Sequence, residues 1–495
     1  MKKIFSAFFA ILLCSAFIFC GCSSENRAIA KEAKKLNNYT IVANYDDQTK
    51  SVVATETFEK KVGEEEGISE LFFHLYPTAF SSDAKVLPYT KLNKEECYPE
   101  GESFGDIVIT NVKVNDNPAT YQIAGTDNDI LRVELGYKAE KKQKVKVEIS
   151  FRVILACSSH RLGYHDDTVN LGNWYPIVCE VVNGEVDQTP YYSTGDPFFS
   201  ACANYVVTFS YPQKYTLAST GNEVSSKTEN GINTKTFEAS VVRDFAMVLG
   251  SNYQVLSGKV GKTEVSVYAY NGDENASEYL NYSLKAVEYF NKIFGTYPYK
   301  TLKVCFTEFL HGGMEYPNLV MIADKITDKK EIETVIVHEI AHQWWYGLVG
   351  DNEIVDAWID EGLAEYSTVL YLENYYPTEN MREKKVTEAQ NNYLIYQDVI
   401  LSLNITMNKK MNLAVNEYKS EYEYVYMVYV KGMLLFNDLR TKVGDDAFFA
   451  SLKKIQKENR FKNITTKEFC ESFADFSKTD LEEFFSMWLN GGVEI

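Results

Sequence analysis

The sequence predicts an α+β multidomain protein, with a β-rich first half and a mainly α-helical second half. Three observations carry this. From residue 39 to about residue 260, short runs of alternating apolar and polar residues are separated by Gly, Asn and Asp, the pattern of half-buried strands and turns. Beyond Lys329 the apolar residues recur at helical spacing almost without a break. The 495 residues are enough for more than one domain, each with its own core.

The elements follow in order. Residues 39–45 and 51–58 flank Asp46-Asp47, a hairpin signal. Residues 64–70 are acidic and loop-like. A strand over 71–76 ends at Pro77, and further strands are expected over 106–114, 130–135, 145–153, 203–210, 235–242 and 245–249. Many short strands with turn residues between them imply a large sandwich or a saddle-shaped sheet. A helix over 276–294 then stops at Gly295-Thr-Tyr-Pro298, and a strand follows over 303–309. Helices are expected over 331–346, 357–375, 380–398, 422–443, 447–458, 467–477 and 480–489. Thr465 and Glu468 have the spacing of a capping box. The domain boundary falls at 257/258, dividing a β domain over 38–257 from a second domain over 258–495.

The N-terminus reads as an export signal. MKK is a basic start, IFSAFFAILLCSAFIF is an apolar run, and CGCSS follows. The run is near the lower length limit of a membrane span, but Gly21-Cys22-Ser23-Ser24 resembles a bacterial lipobox. Residues 1–21 are then a lipoprotein signal peptide. Cys22 carries the lipid that attaches the chain to a bacterial membrane, on its extracytoplasmic face, and 22–37 is a polar tether. Phe19 is untypical three residues before that cysteine. Six cysteines remain after Cys22, and none forms a CxxC pair, so a cysteine zinc site is not expected. An exported protein can hold disulfides; mostly free thiols are expected here. Fifty basic against sixty-nine acidic residues give a net charge of −19, which argues against nucleic acid as a partner and against docking on anionic lipid by charge alone. Protein partners and oligomeric state are unreadable.

The stretch VIVHEIAHQWWYG holds two of the six histidines, His338 and His342, with Glu339 directly after the first. On a helix, positions four apart share a face, so both imidazoles can point at one ion. Zinc suits two neutral imidazoles and a carboxylate, with a fourth position left for water. Glu339 is rotated away from ligation yet within reach of that water, as a general base requires. The third ligand is expected at Glu361, in WIDEGLAE, with eighteen residues between it and His342. That is room for a turn through Gly347 and Gly350 and a returning helix. Glu365, one turn on, either orients a ligand histidine or is simply solvated.

HEIAHQWW and WIDEG at this spacing resemble the zinc signature of the aminopeptidase-N-like gluzincin metallopeptidases. His311-Gly312-Gly313-Met314-Glu315-Tyr316-Pro317 resembles the family's Gly-x-Met-Glu-Asn exopeptidase motif. Tyr429-Val430-Lys431-Gly432 resembles its Tyr-x-Lys-Gly. Phe294-Gly-Thr-Tyr-Pro298 and Phe484-Phe-Ser-Met-Trp488 resemble flanking segments, so the likeness spans about residues 290 to 490. FFHLYP and LGNWYP agree more loosely with the family's N-terminal saddle domain. The resemblance implies a thermolysin-like, mainly helical catalytic domain behind a β saddle, one zinc ion per chain and peptide substrates. It assigns His338, His342 and Glu361 to the metal and Glu339 to general base catalysis. Tyr429 is assigned to the developing oxyanion, with Tyr424 a weaker candidate for the same pocket. Glu315 is assigned to the substrate's α-amine, and Gly312, Gly313 and Met314 to the strand edge along which the peptide lies.

The chain departs from the family in places. Tyr316 replaces the asparagine after the amine-binding acid, and Asp360 stands where asparagine commonly precedes the third ligand. No residue matches the N-domain glutamine that helps bind the amine; Asn173 lies in the right neighbourhood. The chain stops soon after Trp488, where longer relatives continue into a helical cap. The expected function is a zinc aminopeptidase at the cell surface. The alternatives are a zinc endopeptidase or oligopeptidase with an open cleft, and a non-catalytic peptide-binding lipoprotein with a structural zinc. The intact Glu339 counts against the last, because a structural site needs no base.

Overall fold

The computed structural model describes residues 24–63 and 67–495. The expected signal peptide, Cys22 and the first three residues of the acidic stretch over 64–70 lie outside the described residues. The expected tether contains a helix, Ser24–Ala33. Among the described residues no helix is long and apolar enough to cross a membrane, and Cys97, Cys157, Cys179, Cys202, Cys305 and Cys470 are free thiols.

The first half is built on an eight-stranded sheet whose centre is the hairpin of Asn38–Asp46 and Ser51–Lys61. Tyr39, Ile41, Ala43 and Tyr45 alternate inward along the first strand, as a period of two requires. Ala203–Pro212 pairs with that strand in parallel, and Lys144–Ile154 continues the sheet on the other side of the hairpin. Two four-stranded sheets and a two-stranded hairpin, Val181–Val182 with Glu185–Val186, complete this half among the described residues. Its core is aromatic: Tyr39 stacks on Tyr205 with centroids 4.9 Å apart, and Trp174 is fully buried.

The second half opens with a five-stranded sheet in the order Tyr253–Val260, Thr263–Tyr270, Thr301–Thr307, Leu319–Ala323, Gly313–Met314. The boundary expected at 257/258 falls inside the first of these strands, which pairs with its neighbour along its whole length. The change of sheet therefore lies between Met247–Gly250 and Tyr253–Val260. Leu319–Ala323, a buried parallel strand, is a continuous apolar run with no alternation to betray it. The short Gly313–Met314 strand forms the sheet's edge, antiparallel to Leu319–Ala323.

The helices carry the site. Lys329–Ala341 starts two residues before the expected position because Asp328 caps it, accepting from the N–H groups of Lys330 and Glu331. It ends before the expected residue 346, since Trp344 to Tyr346 leave in a turn and Tyr346 takes φ +125°. Asp360–Tyr375 returns against it. The continuous helix expected over 422–443 is Glu421–Val425 and Lys431–Val443, joined by a π-helical turn, Tyr426–Val430. The capping box of Thr465 and Glu468 forms as expected. Trp358 fixes the start of the returning helix, stacking on Phe436 and donating to Thr466 Oγ1 at 2.8 Å.

Asp360–Tyr375 and Lys431–Val443 cross backbone to backbone. A Cβ on Gly432 would stand 2.8 Å from Gly362 Cα, and a Cβ on Gly362 3.0 Å from Gly432 Cα. The glycines of WIDEG and YVKG are thus the two sides of one contact, and it holds Tyr429 over Glu361. Gly432→Ala should push the helices apart and cost about 1–3 kcal/mol of stability, as overpacking does. An unchanged denaturation midpoint in the holoprotein would refute this account of the crossing.

Candidate metal centre and peptide cleft

The last turn of Lys329–Ala341 faces the first turn of Asp360–Tyr375. His338 Nε2 and His342 Nε2 lie 3.1 Å apart, and Glu361 Oε2 stands 3.2 Å from the first and 3.3 Å from the second. The three atoms converge as the donors of one ion. Two imidazole nitrogens and a carboxylate oxygen are a zinc donor set, so the residues fit the metal expected of them. The electrostatics agree. Burial disfavours the cationic form of His342, yet the Glu361 carboxylate holds its pKa up at about 10. Burial pushes Glu361 upward, but the His342 charge and hydrogen bonds from both histidines hold it well below the usual carboxylate range. Positive charge is stabilised at this point, whatever carries it.

Each imidazole is oriented through its other nitrogen. His338 Nδ1 faces Glu365 Oε1 at 3.3 Å, and His342 Nδ1 donates to Trp345 O at 3.0 Å. Of the two readings left open for Glu365, the contact favours the orienting one.

Glu339 is buried, its Oε2 without a hydrogen-bond partner. Burial raises its pKa to about 8. The edge strand passes directly over it: a Cβ on Gly313 would fall 2.3 Å from Glu339 Oε1. Only glycine lets the backbone come so near this carboxylate. Tyr429 donates to Glu361 Oε1 at 2.5 Å and lies parallel to the His338 ring, centroids 6.1 Å apart. The π turn widens the helix so that Tyr424, five residues earlier, comes to the same side. The two tyrosine rings meet at 5.7 Å, and the Tyr424 hydroxyl is buried without a partner.

Glu315 lines the same cleft. It is 3% exposed, its Oε1 has no hydrogen-bond partner, and burial, with the Asp196 charge next, raises its pKa to about 7. Its carboxylate lies within 4.8 Å of oxygens of Glu361 and Asp196. Met314 is buried beside it, its sulfur accepting from Arg161 Nη1 at 3.2 Å. Gly312 and Gly313 line the cleft, which encloses about 310 Å³.

Three contributors were not found in the sequence. Asp196 and Arg161 reach the cleft from the β half, paired at 2.6 Å. Gln343, next to His342, donates through Nε2 to the carbonyls of Glu315 and Tyr316 at 3.1 and 3.2 Å, and accepts from Asn318 N–H at 2.9 Å. It ties the turn at Glu315-Tyr316 to the helix that carries the two histidines. Its place inside HEIAHQWW was a signal; for Asp196 no spacing gave one. Asn173, expected near the substrate amine, lies elsewhere. It is buried between Tyr316 and Asp244, accepting from the Tyr316 hydroxyl at 2.5 Å and donating to Asp244 at 2.6 Å. Tyr316 therefore points away from the amine end, into the β half. Asp360 accepts from Glu361 N–H at 2.8 Å, and burial, then Asp351, raises its pKa well above the usual range.

A β half docked on a helical half with two histidines on one helix and a glutamate on the next defines a zinc-peptidase fold of the gluzincin kind. Residues 278–488 match the Peptidase family M1 domain. Curated relatives include aminopeptidase 2 of Candida albicans, 25% identical over 263 residues, which are 50% of this chain and 27% of the relative. Aminopeptidase N of Lactococcus lactis subsp. lactis is 23% identical over 287 residues, 54% of this chain and 33% of that one. The match thus spans between a quarter and a third of these relatives' length. A solved M1 zinc metallopeptidase from Deinococcus radiodurans, in a glutamate-to-alanine mutant form, superposes with a TM-score of 0.67 at 15% identity, over 93% of this chain and 94% of the other. Over residues 278–488 the helical half is thus similar to peptidase family M1, these likenesses support a family of the aminopeptidase-N-like gluzincin kind, and they indicate zinc as the ion.

Glu365→Gln should weaken zinc binding about tenfold or more, since partners that orient a ligand histidine commonly contribute that much. Chelator competition measures it; unchanged affinity would mean that Glu365 is merely solvated.

Proposed function

We propose that the protein is a zinc aminopeptidase, releasing N-terminal residues from peptides at the outer face of a bacterial membrane. The observation that carries this is the pair of carboxylates, Glu315 and Asp196, lining the cleft beside Glu361 of the donor set. Two acids this close together accept a free α-ammonium, whereas the neutral amide of a continuing chain would leave their charge uncompensated, so the bond at the metal is the first one. Names of relatives agree with this reading.

The substrate adds as a strand to the Gly312–Met314 edge, over Glu339. Bound zinc supplies a Lewis acid that polarises the scissile carbonyl and acidifies water. Glu339 takes a proton from the attacking water and delivers it to the leaving amine. Tyr429 turns its hydroxyl from Glu361 to the carbonyl oxygen as negative charge builds there. Arg161 holds Asp196 toward the amine.

Attachment rests on the lipobox-like Gly21-Cys22. The full-length protein should partition with membranes in a bacterial host, and Cys22→Ser should release it or leave its signal uncleaved. A wild-type chain recovered intact from the cytoplasm would end that part of the proposal. For the activity, the zinc-loaded protein receives one peptide twice, with a free and with an acetylated N-terminus. Stepwise shortening of the free peptide alone is expected, abolished by Glu339→Ala. Asp196→Asn should lower kcat/KM for the free peptide about ten- to a hundredfold, the worth of one charged hydrogen bond. Internal cleavage of both peptides would make the enzyme an endopeptidase instead.

A further inference from the structure

Two consecutive buried residues of the β half, Arg243 and Asp244, reach opposite sides of the proposed site. They lie between the strands Ile232–Val242 and Met247–Gly250 and are 1% and 2% exposed.

Arg243 grips the turn that follows the zinc helix. Its Nε donates to Tyr346 O at 2.5 Å, its Nη2 to Lys462 O at 2.8 Å, and its Nη1 to Ser200 O at 3.1 Å and to Asn463 Oδ1. Gly350 makes room for it, since a Cβ there would stand 2.2 Å from the guanidinium carbon. The gripped residue, Tyr346, holds φ +125°, which an L side chain rarely adopts and which persists only where surroundings enforce it. Its neighbour's carbonyl, Trp345 O, is the acceptor that orients His342. Arg243 thus fixes a strained peptide one residue from the carbonyl that aims a metal ligand.

Asp244 grips the other side. Its Oδ2 accepts from Asn173 Nδ2 at 2.6 Å, while Oδ1 accepts from Tyr175 at 2.8 Å and from Phe245 N–H at 2.6 Å. Asn173 Oδ1 accepts from the Tyr316 hydroxyl at 2.5 Å, and Tyr316 is the residue after Glu315. The position where this chain departs from the family's asparagine is the one through which Asp244 holds the amine-anchoring acid.

We propose that Arg243 and Asp244 are paired positioning residues that set the spacing between the zinc ligands and Glu315. The β half then decides which peptide bond meets the metal. Neither residue touches substrate. The Glu315 arm rests on the aminopeptidase reading; the zinc arm does not.

The two arms have separate readouts, taken on the full-length zinc-loaded protein. Arg243→Lys keeps the charge and loses the fork. It should release zinc to a chelator about tenfold faster, with preference for free over acetylated peptide retained. Tyr316→Phe keeps the packing and cuts the Asp244 chain. It should leave zinc release unchanged and raise KM for the free peptide about tenfold or more, because small displacements of a positioning group carry costs of that order. Asn463→Ala, which removes one acceptor of Arg243, stands in if Arg243→Lys does not fold, and should accelerate zinc release without altering the peptide preference. This separation of effects supports the proposal. It is overturned if neither readout moves, or if each variant shifts both readouts in proportion to its loss of thermal stability. Should the wild-type protein cleave no peptide, the aminopeptidase reading fails, and the zinc-release comparison alone supports or overturns the role of Arg243.

Discussion

One carboxylate organises the centre of this molecule. Glu361 lies within hydrogen-bonding distance of both imidazole nitrogens through one oxygen and accepts from Tyr429 through the other. A buried anion is costly unless every face is compensated. The helices that carry its partners must therefore approach to within a side chain's reach and stay there. The zinc helix, the returning helix and the tyrosine helix are fixed by that requirement. The glycine-to-glycine crossing of Gly362 and Gly432 is what allows it, since any side chain at either position would hold the third helix off.

Around this centre the supporting contacts are made largely by backbone and by side chains that grip backbone. Gln343 bonds two carbonyls of the turn at Glu315-Tyr316, Trp345 O aims His342, and Arg243 bonds three carbonyls and an amide. Such contacts fix direction more than they add binding energy. That suits the proposed site, in which the metal donors, Glu339 and Glu315 must keep fixed separations.

The zinc donors were legible in the sequence because helical geometry and loop length are local properties: four residues bring two histidines to one face, and eighteen allow a turn and a return. The outer strands and the Thr465 capping box were legible for the same reason. Leu319–Ala323 was not, because a strand buried on both faces has no alternation. The end of the zinc helix was misplaced because Trp344, Trp345 and Tyr346 continue a helical apolar pattern, and only the tertiary grip on Tyr346 breaks it. The π turn at Tyr426–Val430 has no propensity signature, so Tyr424 could be weighed but not placed. Asp196 and Arg161 lie more than a hundred residues from the zinc helix in sequence, and their meeting with Glu315 follows from domain docking, which no spacing within the chain encodes.

The cleft is divided between the two halves of the chain. The β half is synthesised first and contributes Asp196, Arg161 and the Arg243-Asp244 pair, but none of the metal donors. The helical half follows it in the chain and brings His338, His342, Glu361 and Glu339, with one wall of its cleft missing. Neither product of an interrupted synthesis, nor either fragment after a cut at the junction near residue 251, holds a complete site. The site is therefore a property of the docked whole, and the proposed hydrolysis has to wait until both halves have folded and met.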